Sequence, residues 1–453
     1  MASKTLIQTN RERAFIFLGA LLALALGAFA ALGTPAWLTT LGITLIIVAC
    51  GLTLPISFAG LLLAALIPFQ FYFFAGDTAF SLRAALILAF VLAFRLFATR
   101  FAFEKFKWLL PALAFLVAAF IAAIGADSRY LALRGMYDWL AVFATAFFFS
   151  AIIIPRGWIS KLAVIVIGGG TLQAVVGLMQ AFSGRDAALE MLRQPASAIF
   201  FQPNLLKEKL ADLSFNWLTF ERVSPFGTFI NGIDYAVFLA AILCFALAFL
   251  FTRRARLELI GCAAGIGALA LLSAPRFSIR LVPLALALSF SALMLALPFA
   301  DVIAERVAFL IQREQGAFGT LGRLDIWLGL FTNFLQRPWF GYGLNHATLL
   351  TPPGKTLSGG AIAFYTVAPE SAYVAALVET GAVGFIALIF FLTNALTRAF
   401  KIARAQSNAA RIGICAALVA LLVGNLTITG LTTDQNGMLF GMFVGLVFAE
   451  WRA

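Results

Sequence analysis

Charge is what this sequence has least of. Of its 453 residues, 11% are charged, against about 25% in a typical soluble domain. So few charges cannot cover a globular surface, which excludes soluble enzymes, disordered tails and nucleic-acid-binding domains. Histidine is scarcer still: His346 is the one in the chain. Zinc centres and Ser-His triads have almost no material to work with. The four cysteines, Cys50, Cys244, Cys262 and Cys415, lie inside apolar stretches without metal-ligand spacing. They read as small hydrophobes, not disulfide partners. Walker A loop, zinc motif and nucleophile elbow are missing, and no long loop carries an Asp-x-Asp pair for a metal diphosphate. Neither a metal nor another cofactor is expected.

What the chain does have is apolar length. Hydrophobic residues make up 62% and mean hydropathy is +0.99. Apolar runs of roughly 17–24 residues suit membrane helices, whereas barrel strands need only about 10 alternating residues. The runs fall at 13–32, 36–54, 56–75, 83–99, 108–125, 137–154, 162–183, 229–251, 258–274, 281–299, 371–394, 412–430 and 436–450. The reading is an all-α polytopic membrane protein with about 12 transmembrane helices, forming a single integral membrane domain over 1–453. The polar stretch before residue 13 is too long for a signal-peptide n-region, so the first run is expected to be a retained span.

The net charge of +12 is distributed by loop. Short basic loops hold Lys4/Arg11/Arg13, Arg100/Lys105/Lys107, Arg156/Lys161, Arg253/Arg254/Arg256 and Arg398/Lys401/Arg404/Arg411. The positive-inside rule makes them cytoplasmic. Two long connections, 184–228 and 300–370, each carry five basic and five acidic residues. They are expected outside, in the periplasm of a Gram-negative cell, with the short loop Asp127 to Arg134 on the same side. One place resists this alternation. Two runs, 258–274 and 281–299, separate Arg256 from the outer loop where an odd number is required. Either one is re-entrant, or the two merge around a break near Pro275 and Pro283, or a boundary is displaced. Irregular backbone at membrane depth needs a protein-lined or wet cavity.

Chemistry is expected on the outer loops. Arg222-Val-Ser-Pro-Phe-Gly-Thr-Phe-Ile-Asn231, followed by Asp234, places a guanidinium just before a span. There it can grip a phosphate bidentately or serve as a juxtamembrane anchor. Arg276 and Arg280 lie near membrane depth, where an unpaired arginine costs a few kcal/mol; function and snorkelling both remain open. The pattern from 324 to 335 predicts an amphipathic helix lying along the membrane surface, with Arg323 at its start facing either a phosphate or solvent. Pro338 and two glycines end it. Glu370 stands at or near the head of the next span, either as a helix-dipole cap or as a general base for a sugar hydroxyl. Several arginines without a carboxylate pair suit a diphosphate handled without metal.

The ordered set of clusters resembles the O-antigen ligase / Wzy-type polysaccharide polymerase superfamily. The resemblance is carried by Asp127 to Arg134, Arg222-x-x-x-x-Gly-Thr-Phe-x-Asn231 and Ser-Ala-Pro-Arg276. It is carried further by Gly322-Arg-Leu-Asp-Ile-Trp327, Arg337-Pro-x-x-Gly-x-Gly343, and Glu370-Ser-x-Tyr373 with Glu379-x-Gly-x-x-Gly384. It implies a GT-C-type glycosyltransferase of the bacterial inner membrane, its active site on the periplasmic side. Such an enzyme takes glycan from undecaprenyl diphosphate without metal. The large periplasmic loop would contain amphipathic helices. The family's phosphate-binding arginines map onto Arg222 and Arg276, with Arg280 the alternative for the second. Glu370 would be catalytic beside them. Arg280, Arg323, Arg134, Tyr373, Asn231 and Asp234 are the candidates for substrate contacts.

This sequence departs from the ligase pattern. Ligases carry His-Asn where it reads Glu370-Ser371, Ser-Arg-Gly where it reads Pro275-Arg276-Phe277, and Asn-Pro-Asn where it reads Asn231-Gly-Ile-Asp234. The missing histidine turns the expectation toward polymerisation of an O-antigen or exopolysaccharide repeat. A ligase acting on lipid A-core or protein is the first rival. A lipid-linked-glycan flippase is the second, and the lack of an internal repeat speaks against it. Expected partners are the lipid-linked glycan, the bilayer, a chain-length regulator and a flippase, with no nucleic acid.

Overall fold

The structure is a computed structural model. It describes residues 36–69, 72–73, 82–100, 103–155, 157–193, 232–252, 320–351, 354–358, 361–365, 369, 371–405, 408–426, 428–432 and 434–451. In chain order its helices are α1 (Ala36–Thr53), α2 (Ile56–Leu66), α3 (Ala84–Arg100), α4 (Leu110–Ile124), α5 (Arg129–Ala151) and α6 (Trp158–Arg193). They continue as α7 (Gly232–Thr252), α8 (Thr320–Gln336), α9 (Ala347–Leu350), α10 (Ala372–Ala405), α11 (Ala409–Gly424) and α12 (Asp434–Phe448).

The protein is thus a mostly helical, polytopic membrane protein. Among the described residues, four stretches are long and apolar enough to cross a bilayer: Phe106–Ile124, Arg129–Ala151, Trp158–Gln180 and Ala372–Ala405, with shorter apolar helices beside them. Large apolar side chains such as Phe94, Val164 and Ile386 are at least 66% exposed. A soluble surface scatters such residues and avoids large patches of them; here lipid is the natural neighbour. The runs expected at 13–32, 258–274 and 281–299 lie outside the described residues, and so does the question of a break between the last two.

Three details amend the sequence reading. α6 continues through Arg193, ten residues into the segment read as the 184–228 loop. At about 1.5 Å per residue its 36 residues exceed the ~30 Å hydrocarbon core. The 300–370 segment holds more than helices: Gly354–Ser358 and Ala361–Tyr365 pair as an antiparallel hairpin. The all-α expectation therefore gains a small β element. Finally, α5 begins at Arg129, eight residues before the apolar run that announced it.

Two compact units are present. The first comprises residues 1–101, 151–235 and 450–453, the second 102–150 and 236–449. In the first, Pro55 stops α1, since proline cannot continue a helix. Arg95 then donates from Nη1 to the Gly51 and Leu54 carbonyls, at 2.9 and 2.7 Å. Trp158 Nε1 donates to the Ser57 carbonyl (2.8 Å) and Gln173 Nε2 to that of Pro68 (2.6 Å). Tyr235 donates its hydroxyl proton to the Gln173 carbonyl at 2.9 Å, across Gly177, where a Cβ would collide with that hydroxyl.

The second unit has an aromatic core: Phe115, Trp139, Phe143 and Phe391 form a chain of edge-on and stacked rings, and Phe440 continues it. α12 meets α5 through Gly437, Gly441 and Gly445, spaced by four residues. Cβ atoms at Gly441 and Gly445 would press on the Val142 and Ala146 carbonyls and on Phe149, while one at Gly437 would meet the Leu431 carbonyl first and then the Val142 side chain. Small residues at this spacing let helices approach closely in a membrane.

The ends of this unit differ. At one, Trp108 stacks on Phe448 with centroids 4.3 Å apart, and Arg398 donates to the Val447 carbonyl with its guanidinium over Phe448. This gathers the basic segments around Lys107 and Arg398. At the other lie the turn Gly125–Ser128, the loop Arg337–His346, the head of α10 and the connection from α11 to α12.

Candidate functional site

The loop after α8 and the start of α10 are built as one piece. Within α10, Gly381 adopts φ 66°, ψ −173°, a conformation essentially reserved for glycine. The helix breaks there, and the loop fills the break. Val378 and Glu379 carbonyls accept from Tyr342 N–H (3.2 Å) and Gly343 N–H (2.8 Å). Ala382 and Val383 N–H groups donate to the Pro338 (2.8 Å) and Trp339 (3.2 Å) carbonyls. In an unbroken helix these two carbonyls would bond to these two amides. The loop enters between them and satisfies all four. Gly341 faces the Val378 and Glu379 backbone, and Gly381 faces that of Trp339, so a Cβ at either position would overlap main chain.

This accounts for Gly341, Gly343 and Gly381 of the two motifs Arg-Pro-x-x-Gly-x-Gly and Glu-x-Gly-x-x-Gly, which permit the interlock; Gly384 instead faces Thr380 and Ala118. The glutamate secures the interlock. Glu379 is 6% exposed; its Oε1 accepts from Ala347 N–H at 3.0 Å, and the Asn345 backbone amide also interacts with the carboxylate. Buried carboxylates require such partners. Asn345 has a φ of 62°, so this turn bends sharply to present its amides.

His346 ties the loop to the turn before α5. It is 2% exposed. Its Nε2 accepts from Ser128 N–H at 3.1 Å, and Nδ1 lies 3.0 Å from the Leu344 carbonyl. That pairing is satisfied by the neutral ring protonated on Nδ1. Both nitrogens are occupied, so the histidine is a structural bridge here. Arg337 makes a second tie: Nη1 donates to the Gly125 carbonyl at 3.0 Å, Nη2 lies 3.7 Å from Asp127, and the guanidinium covers the Tyr342 ring at 4.5 Å.

The head of α10 is fixed on both sides of residue 370. Trp327 Nε1 donates to the Pro369 carbonyl at 3.0 Å. Ser371 is the cap: its Oγ accepts from Val374 N–H at 3.4 Å. Ala372 N–H donates to the Ile428 (2.8 Å) and Asn425 (3.1 Å) carbonyls. The side-chain hydrogen bond at the N-cap of α10 is made by Ser371. Between α8 and α10 lies a cleft of about 240 Å³ lined by Trp327, Leu328, Phe331, Val374, Leu377 and Val378. All six are apolar, so the cleft can hold hydrocarbon and supplies no reacting group.

The expected site residues fall unevenly on this framework. Arg222, Asn231, Arg276, Arg280 and Glu370 lie outside the described residues. Arg323 stands in the first turn of α8, its side chain likewise outside. α8 itself spans the expected 324–335 and starts four residues earlier. Tyr373 directs its hydroxyl to the Leu422 carbonyl, 2.8 Å away. Arg134 is half-buried on α5; next to it Gly135 abuts Leu344 and Asn345 of the interlocked loop. Asp234 is buried in the first turn of α7, in the first unit. The structure therefore brings Arg134, Tyr373 and the flanks of Glu370 to one end of the second unit. Trp327, Ser371 and Glu379 went unassigned in the sequence reading. Their signal was there: a tryptophan in an amphipathic helix, a Ser after Pro-Glu, and a lone glutamate in an apolar run.

No curated protein matches the chain. Residues 239–389, the stretch that contains the interlocked loop and the head of α10, match the Wzy_C family model, described as O-antigen ligase, and this places that stretch with the O-antigen ligase and Wzy-type superfamily.

Proposed function

We propose that the protein is a glycan polymerase of the bacterial inner membrane, a GT-C-type enzyme of about 12 spans working on the periplasmic face. The donor is the growing chain on undecaprenyl diphosphate. A hydroxyl of a second lipid-linked repeat attacks its anomeric carbon. The new glycosidic C–O bond forms as the bond to the diphosphate breaks, and undecaprenyl diphosphate leaves. Glu370 accepts the hydroxyl proton. Arg222 and Arg276 neutralise the departing diphosphate, which lets the reaction run without metal. Arg280, Arg323, Arg134, Asn231, Asp234 and Tyr373 line the path of the glycan and its carrier. A chain-length regulator and a flippase are the expected partners.

The observation that carries this reading is the family match over 239–389. Polymerisation is preferred because the sequence has Glu370-Ser371 where the resembling ligases have His-Asn, and because His346 is engaged with Ser128 and Leu344. The family's description favours a second reading, ligation of glycan to lipid A-core or protein. Deletion followed by glycan analysis separates the two. Single repeats on an otherwise intact surface mean polymerase. Unattached long chains on the carrier mean ligase. Arg222→Lys should cripple turnover in either case, because an ammonium lacks the planar fork; normal product length at normal expression would remove Arg222 from the site.

A further inference from the structure

From Gln435 to Val447 every residue of α12 is buried. A helix apolar all round belongs in a core, and this one is apolar except at its head. By helical spacing Gln435 shares a face with Leu439, Met442 and Leu446, each at most 1% exposed. That pattern calls for leucine or methionine at 435. Glutamine stands there instead, 4% exposed.

The head of α12 lies against the connection that also holds the head of α10. A Cβ on Gly437 would meet the Leu431 carbonyl. Leu431 N–H donates to Asn425 Oδ1 at 2.6 Å, and the Asn425 carbonyl accepts from Ala372 N–H. Other buried polar side chains at this end are employed in the fold. Asn425 Nδ2 donates to the Leu421 carbonyl at 2.7 Å, and Ser371, His346 and Glu379 each accept from a main-chain amide. Gln435 differs. Its Nε2 is buried and has no hydrogen-bond partner among the described residues. Native proteins pair nearly all such groups, because an unpaired donor bears its full desolvation cost. A methionine would fill the same space without that cost, so packing gives no reason for the amide.

We infer that Gln435 is a substrate contact: its side-chain amide donates a hydrogen bond to an oxygen of the lipid-linked saccharide. The inference rests on reading the protein as a glycosyltransferase that takes such a substrate. A neutral amide suits a hydroxyl or carbonyl oxygen of a sugar, whereas a diphosphate is best held by charged donors.

The test uses full-length protein in nanodiscs and two probes: lipid-linked glycan extracted from cells lacking the gene, and undecaprenyl diphosphate alone. Gln435→Met and Gln435→Leu remove the amide and nearly keep the volume. Each should weaken binding of the lipid-linked glycan about 3- to 10-fold and leave that of undecaprenyl diphosphate within about twofold. Each should also melt no lower than wild type, since a group kept for a ligand does not hold the fold. Unchanged glycan binding in both variants overturns the contact. So does a lower melting temperature in both, which makes the amide part of the fold. An equal loss with undecaprenyl diphosphate places the contact on the carrier and overturns the saccharide assignment. Wild-type protein that binds the glycan yet releases no undecaprenyl diphosphate from it overturns the transfer reading, while weaker glycan binding in the variants still supports the contact. Wild-type protein that binds no lipid-linked glycan overturns both.

Discussion

Glycine serves two regions of the second unit in opposite ways. Along α12, Gly437, Gly441 and Gly445 keep ordinary helical backbone and give up only volume, so that α5 can come close. In α10 and its loop, Gly381, Gly341 and Gly343 have positive φ, and two of them also lie against foreign main chain. One set removes side chains from a continuous helix; the other lets a helix be interrupted and repaired by a distant segment. The difference teaches that a small residue in an apolar run is ambiguous until its partner is known. A four-residue repeat announces close packing. A single glycine between Thr380 and Ala382 announces nothing.

The comparison can be broken at four places. Gly381→Ala should be the most damaging, at about 4 kcal/mol, because backbone strain and overlap with the Trp339 carbonyl act together. Hydrogen exchange should show peptides covering 337–347 losing protection first; unchanged melting and exchange would mean that the break is not held by Gly381. Glu379→Ala comes next, at about 3 kcal/mol, from a buried unpaired Ala347 N–H and the cavity left behind. Glu379→Gln should recover part of this, and a melting temperature equal to wild type in the alanine variant would remove the carboxylate from the interlock. Gly445→Ala should cost about 2 kcal/mol, since the helices can separate slightly to admit a methyl group. Its exchange signature should appear in α12 and α5 and spare 337–347; the reverse pattern would erase the distinction drawn here. Arg337→Gln should cost less than about 1 kcal/mol, as expected for a solvent-facing pair, and a larger shift in melting temperature would show that the tie to Asp127 and Gly125 is more than a surface contact.

Hydropathy made the helices of the second unit legible, since α4, α7, α10, α11 and α12 each lie close to an apolar run. Ends were less so. Arg129 and Arg134 hid the first turns of α5, because a polar residue on a helix does not look like a helix on a hydropathy scale. The amphipathic period revealed α8, while the hairpin at 354–365 offered only short, mixed segments. The ordered clusters drew attention to Arg337–Gly343 and Glu379–Gly384, which the structure brings together, while Arg222, Arg276 and Glu370 lie outside the described residues. The mechanical core of this junction was not legible. His346 stood out as the sole histidine, yet its work depends on Ser128, 218 residues away in sequence. The break in α10 depends on Pro338 to Gly343, and no local pattern at Gly381 points there.

The span after Gly381 runs from Ala382 to Ala405, some 24 residues or about 36 Å, enough to cross a bilayer without the nine residues before it. Those nine are released from spanning, and their hydrogen-bond ladder is completed by a segment about forty residues upstream. Inheritance follows from this. In a chimera that exchanges the large loop with a relative, residues 337–346 and 378–383 must travel together, because either donor segment alone would bring two carbonyls and two amides to a junction that no longer fits.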